Sequence, residues 1–263
     1  MPYRSFSSRP SRGRRPTYQS KPSRRGGKEF ISTDRFIKAA KPASADVFEP
    51  LTTFAGLEIS DLLKNNLITK GILIPSPIQD QAVPAGLAGK DVIGLANTGT
   101  GKTLAFAIPI LQELITNRSS SALIVAPTRE LATQIEDEFK EVARGSRLNG
   151  ALLIGGTSMG RQLGDLRLRP RIVIGTPGRI KDHLERRSLS LEGFNMVVLD
   201  EVDRMLDMGF VNDMRTILGK LPASRQSFFF SATLDSRVET LIKEFSKDPI
   251  MISVKNGETI DTV

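Results

Sequence analysis

The chain has 263 residues, room for one large domain or at a stretch two small ones. Its 39% hydrophobic and 25% charged residues are the balance expected of a soluble globular protein, and no uncharged apolar run approaches the length of a membrane span. With no cysteine, disulfides, thiolate zinc sites and a cysteine nucleophile are excluded; the single histidine, His183, lies in the charged stretch 181–187 and reads as a solvated helix-face residue.

The net charge of +8 is concentrated at one end. Residues 1–41 hold 12 Lys/Arg and two acids, Glu29 and Asp34, whereas the remainder carries two more acids than bases. Residues 1–47 are rich in Ser, Arg, Gly and Pro and poor in aliphatics, a composition that buries too little apolar surface to offset chain entropy and predicts disorder. Arginines interleaved with Tyr3, Phe6 and Tyr18 suit stacking on unpaired bases and phosphate neutralisation, so a nonspecific RNA tether is one reading. A solubilising tail is another. A transit peptide is disfavoured by Pro2, Pro10, Pro16 and Pro22, which break the amphipathic helix such a peptide needs.

From residue 48 short apolar runs recur: 92–96, 122–126, 151–154, 172–174, 196–199 and 228–230. Runs without alternation suit strands buried on both faces. Each interval has room for a helix. Leu131, Ile135, Phe139 and Val142 repeat at helical spacing, as do Val238, Leu241, Ile242 and Phe245 behind a capping-box pattern of Ser236 and Glu239. Alternating strands and helices predict an α/β fold, a parallel sheet with helices on both faces and its chemistry at the carboxyl ends of the strands.

The first run leads into Ala96-Asn97-Thr98-Gly99-Thr100-Gly101-Lys102-Thr103, a P-loop pattern with Ala in place of the first Gly. Glycines let backbone N–H groups curl around a polyphosphate at a helix N-terminus. Lys102 suits the β/γ-phosphates and Thr103 suits Mg²⁺; an ordinary glycine turn is the bland alternative. The fifth run ends in Asp200-Glu201-Val202-Asp203. Asp200 suits an indirect Mg²⁺ contact and Glu201 a general base for the attacking water. An acidic helix start is the alternative reading of that box.

With these motifs in this order, the chain resembles the DEAD-box ATPases over roughly residues 48–255. The resemblance implies a P-loop NTPase fold, RecA-like, at residues 48–255, with ATP and Mg²⁺ as cofactors and ATP-dependent RNA unwinding as the activity. It implies that Gln79, in the segment 71–79, reads the adenine edge and that Phe54 stacks on the ring. Ser76 stands where the family usually has Thr, and Val202 replaces the Ala of the acidic box. Val202 is expected in apolar packing, and Asp203 as a relay to Ser231-Ala232-Thr233, the counterpart of the motif that couples nucleotide to RNA. Three segments match the RNA-backbone motifs: Pro127-Thr128-Arg129, Gly155-Gly156 and Thr176-Pro177-Gly178-Arg179. Arg129 and Arg179 would contact phosphates without reading bases; each segment alone could be a strand-to-helix turn with a capping Thr. The family has a second RecA-like domain bearing arginines that complete the ATP site. It is expected downstream, with residues 256–263 starting the linker. A nucleotide- and RNA-holding scaffold without turnover, and a P-loop ATPase acting on DNA or protein, are the rival readings. The absence of targeting signals predicts a cytoplasmic protein.

Overall fold

The computed structural model describes residues 48–254. The disorder and RNA tethering expected of the basic tail, and the linker expected from residue 256, lie outside the described residues. Seven parallel strands form one sheet in the order β3-β4-β2-β5-β6-β1-β7. The strands are β1 (Val92–Ala96), β2 (Ala122–Val125), β3 (Gly150–Leu153), β4 (Ile172–Gly175), β5 (Met196–Leu199), β6 (Gln226–Ser231) and β7 (Ile250–Val254).

Side chains alternate across a strand, so each strand feeds two cores. Phe228 and Phe230 join Ile124 and Val198 on one face, while Phe229 joins Leu123, Val125 and Val197 on the other. The first face is covered by α1 (Asp61–Thr69), α2 (Pro77–Leu87), α3 (Lys102–Thr116) and α4 (Arg129–Val142). The second carries α5 (Met159–Arg167), α6 (Pro177–Glu185), α7 (Val202–Asp207), α8 (Val211–Leu218) and α9 (Ser236–Phe245). Burial on both faces explains the unbroken apolar runs. No described helix is long and apolar enough to cross a membrane.

Four sequence expectations need correction. The β5–β6 interval holds two helices, broken at Gly209 with φ 84°. The seventh strand, β7, was not anticipated, because two of its apolar residues, Ile250 and Met251, are exposed on a sheet edge. The cap of α9 is Asp235, whose carboxylate accepts from Arg237 N and Val238 N at 2.9 Å each, and not Ser236. His183 is fully buried, not solvated, and its ring is hydrogen-bonded at both nitrogens.

Candidate nucleotide and nucleic-acid site

Parallel strands deliver their carboxyl ends to one rim. There β1 runs into the P-loop, β5 into the acidic box, and β6, between them, into Ser231-Ala232-Thr233. Gly99 (φ 85°) and Gly101 (φ 89°) give the P-loop its left-handed turns, and Lys102 opens α3. Ala96 is buried, Asn97 and Thr98 are exposed, and Thr100 and Thr103 are half-buried. Lys102 is 6% exposed, its Nζ lies 4.0 Å from Asp200 Oδ1, and it has no hydrogen-bond partner. A buried ammonium without a hydrogen-bonding partner is costly, so this group is set to receive an anion.

Asp200 is buried, accepts from Glu201 N at 3.0 Å, and is pushed up to about 6 chiefly by loss of solvent, against the pull of the Lys102 charge. A dication beside it would favour the ionised form. No group of three His, Asp or Glu able to hold a metal occurs among the described residues. Mg²⁺ ordinarily keeps several waters and binds through one or two protein groups plus substrate phosphates, so such an ion would ask little of the chain. The carboxylate of Asp200 and a hydroxyl such as that of the half-buried Thr103 are donors of the type such a site uses, and the partnerless Lys102 supports a phosphate nearby.

Glu201 sits at φ 54° and ψ 55°, a left-handed conformation. Thr98 Oγ1 donates to one of its oxygens at 3.4 Å and Arg204 Nη1 to the other at 3.0 Å. Arg204 was not singled out from sequence, although its position three residues on within a helix start is a recognisable signal. Val202 is fully buried in the core, as expected. Asp203 Oδ2 accepts from Ala232 N, Thr233 N and Thr233 Oγ1 at 3.0–3.1 Å, and Asp203 N donates to Ser231 Oγ at 3.3 Å. The acidic box and the β6 exit are thus joined through one side chain.

Gln79 lies on α2, one turn from its cap. Its Oε1 accepts from Ser76 N and its Nε2 donates to Gly101 O, both at 2.9 Å, while Ser76 Oγ donates to Thr100 O at 2.7 Å. A carboxamide has two lone pairs and two N–H groups, so one of each is left for an adenine edge. Gly101 has φ 89°, which favours glycine, and a Cβ there would come within 2.4 Å of Gln79 Nε2, so a substitution would strain the turn and displace the carboxamide. Phe54 is 3% exposed and belongs to the core cluster. Its segment is tied to α2 by Asp80, which accepts from Leu51 N, Thr52 N and Thr52 Oγ1 at 2.7–3.0 Å. Sequence reading missed Asp80; no local pattern marks a contact 28 residues away.

The three remaining segments leave the ends of β2, β3 and β4. Pro127 is buried, and Thr128 caps α4 by accepting from Leu131 N at 3.2 Å. Arg129 is exposed, and its guanidinium lies against Gly156, where a Cβ would fall 2.2 Å from Nη1. Gly155 is half-buried beside the exposed Gly156. Thr176 is the N-cap of α6, Pro177 is buried at its first turn and Gly178 is exposed. Arg179 Nη1 is buried without a partner. The rim thus carries two cations, the exposed Arg129 reaching Gly156 at the end of the edge strand β3, and the half-buried Arg179, whose Nε lies 3.8 Å from Asp182 Oδ2.

The family model for DEAD/DEAH box helicases matches residues 76–241. The DEAD-box ATP-dependent RNA helicase CshA of Bacillus licheniformis is 41% identical over 207 residues, covering 78% of this chain and 42% of that protein. The crystal structure of a DEAD box protein from the hyperthermophile Methanococcus jannaschii matches with a TM-score of 0.73 at 36% identity, over 77% of this chain and 56% of that one. That of a hypothetical ATP-dependent RNA helicase from Sulfolobus tokodaii matches with a TM-score of 0.70 at 32% identity, over 74% and 57%. The chain thus spans less than half the length of the curated relative.

Proposed function

Because the chain belongs to the DEAD/DEAH box helicase family, we propose that it is the ATP-binding part of an ATP-dependent RNA helicase. It would bind ATP·Mg²⁺ and single-stranded RNA and separate short duplexes locally. The observation that carries this reading is Lys102 Nζ, buried beside Asp200 with no hydrogen-bond partner among the described residues.

The Gln79 carboxamide would read adenine with its spare N–H and lone pair, and Phe54 would support the ring. Lys102 and the N–H groups of residues 98–102 would hold the β- and γ-phosphates. Mg²⁺, which Thr103 would hold directly and Asp200 indirectly, would neutralise charge on those phosphates. Glu201 would orient a water in line with the γ-phosphorus and accept its proton as the bond to the β,γ-bridging oxygen breaks. Each Glu201 oxygen accepts one hydrogen bond, from Thr98 or from Arg204, and keeps a lone pair for the water. Asp203, Ser231 and Thr233 would report nucleotide state to the RNA rim. Arg129, Gly155, Gly156, Thr176 and Arg179 would hold the sugar-phosphate chain without reading bases, with Pro127, Thr128, Pro177 and Gly178 shaping the turns. The basic tail would add a nonspecific tether.

A second RecA-like domain would supply the arginine that completes the ATP site. Lack of such an arginine typically costs on the order of 10³-fold or more in turnover. The test is ATP hydrolysis with and without poly(U), by this chain and by a longer version carrying such a domain. RNA-stimulated turnover in the longer version, reduced at least about 10²-fold by Glu201→Gln, is expected. Bound nucleotide with no turnover in either would favour a scaffold instead.

A further inference from the structure

His183 is the one histidine of the chain, and the nucleotide chemistry leaves it unused. It lies on α6, the helix that Thr176 caps, and is fully buried. Its Nε2 is 3.0 Å from Gln162 Oε1 and its Nδ1 is 2.8 Å from Ser188 Oγ. Gln162, on α5, is only 2% exposed.

The hydrogen-bond directions follow from the donor inventory. Gln162 Nε2 donates to Ile154 O at 2.9 Å and also to Thr157 Oγ1. Both amide hydrogens are thereby committed, so Gln162 Oε1 accepts and His183 Nε2 carries the hydrogen. Nδ1, left without a hydrogen, then accepts from the Ser188 hydroxyl, whose one hydrogen it shares with His183 O at 3.1 Å. Thr157 Oγ1 closes the loop by donating to Ile154 O at 3.0 Å.

Ile154 and Thr157 flank Gly155-Gly156. Those two glycines have no side chains with which to fix themselves, and Gly156 sits at φ 75°. An unheld glycine pair would lose entropy whenever its N–H groups had to meet a phosphate. Gln162 clamps the loop from beneath on both sides, while Arg129 lies against Gly156. His183 in turn ties Gln162 to the helix that begins at Thr176-Pro177-Gly178-Arg179.

We propose that Gln162 and His183 are positioning residues that hold the Gly155-Gly156 loop in fixed relation to the start of α6, so that two separate backbone-contact segments act as one RNA site. The proposal rests on the reading of this rim as an RNA-backbone site. A buried imidazole-carboxamide pair suits the task because it is directional yet brings no charge to the rim.

The test measures binding of a labelled oligouridylate by anisotropy, together with binding of a fluorescent ATP analogue and thermal melting, on the full chain. Arg129→Ala sets the scale of rim binding above any contribution of the tail. His183→Leu and Gln162→Leu are expected to weaken RNA binding about fivefold to tenfold with nucleotide affinity unchanged. His183→Gln, which retains a donor toward Gln162, should restore most of it. The double variant His183→Leu, Gln162→Leu leaves no unpaired polar group between the two positions. It should recover melting temperature over the single variants and still bind RNA weakly, because the Gln162 amide no longer ties Ile154 O and Thr157 Oγ1 to α5. Recovery of RNA affinity along with stability would overturn the proposal and leave the pair a packing feature. If Arg129→Ala binds RNA as tightly as the parent, the rim reading itself fails and the proposal with it. A loss with Arg129→Ala but not with His183→Leu overturns the proposal alone.

Discussion

Glu201 shows how catalytic placement and stability pull apart at a single residue. Only Asp200 and Glu201 separate the end of β5 from the start of α7, and the chain turns at Glu201 through a left-handed conformation. That geometry costs a residue with a Cβ about 1–2 kcal/mol, a strain of the kind that concentrates at functional sites. Glu201→Gly is therefore expected to stabilise the chain by about 1 kcal/mol, a rise in Tm of about 2–4 °C, while removing the proposed base. Glu201→Gln, which keeps the Cβ, should melt near the parent. A lower Tm for Glu201→Gly would show that the contacts to Thr98 and Arg204 outweigh the strain. The candidate base was legible in sequence from its place after an apolar run; its conformation was not, since glycine is the usual mark of such a turn. His183 failed for a related reason. Its charged neighbours signal a solvated face, but helical periodicity turns it inward beside Ile180, and its partner Gln162 lies 21 residues away. Burial lowers its pKa from the ordinary value, with Asp182 opposing and Arg179 and Arg186 reinforcing, which favours the neutral ring the network needs.

At the scale of elements, α2 links the nucleotide loop to the segment that carries Phe54. Ser76 and Gln79 form a capping box and at the same time bond the P-loop carbonyls of Thr100 and Gly101. Asp80, the next residue, holds the chain at 51–52 through three donors. Hydrogen bonds to a charged group contribute about 1.5–3 kcal/mol each when lost singly. Asp80→Ala should thus free the Phe54 segment, weakening ATP binding about tenfold or more and tripolyphosphate binding far less. Equal losses for both ligands, measured by competition against a fluorescent nucleotide, would place the damage in the P-loop instead. Six of the seven strands were legible because double-sided burial leaves unbroken apolar runs. The seventh was not: β7 pairs only with β1 and has one buried residue, Ile252. The motifs themselves were legible because phosphate and metal chemistry demand fixed residue types at short spacing. The Asp80 tether and the Gln162–His183 pair join distant segments, and local sequence carries no trace of such contacts.

On the scale of the whole molecule, charge is divided unevenly along the chain. The excess of Lys and Arg lies within residues 1–41, while the remaining residues carry a slight excess of acid. The rim concentrates cations only locally, at Arg129 and Arg179. Neutralising a phosphate on single-stranded nucleic acid releases counterions and contributes about 0.7 to the slope of log K against log salt. With 12 basic residues in the tail, the full chain should show a steep slope, and deletion of residues 1–47 should reduce it by several units while leaving a shallow component. Arg129→Ala should then weaken that shallow component and change its slope by less than about one unit. A slope unchanged by deletion would locate the phosphate contacts in residues 48–263 and remove the tether from the reading. A reduced slope would instead make the two contributions separable: on the proposed reading the rim would set how the backbone is held, and the tail how often it is met.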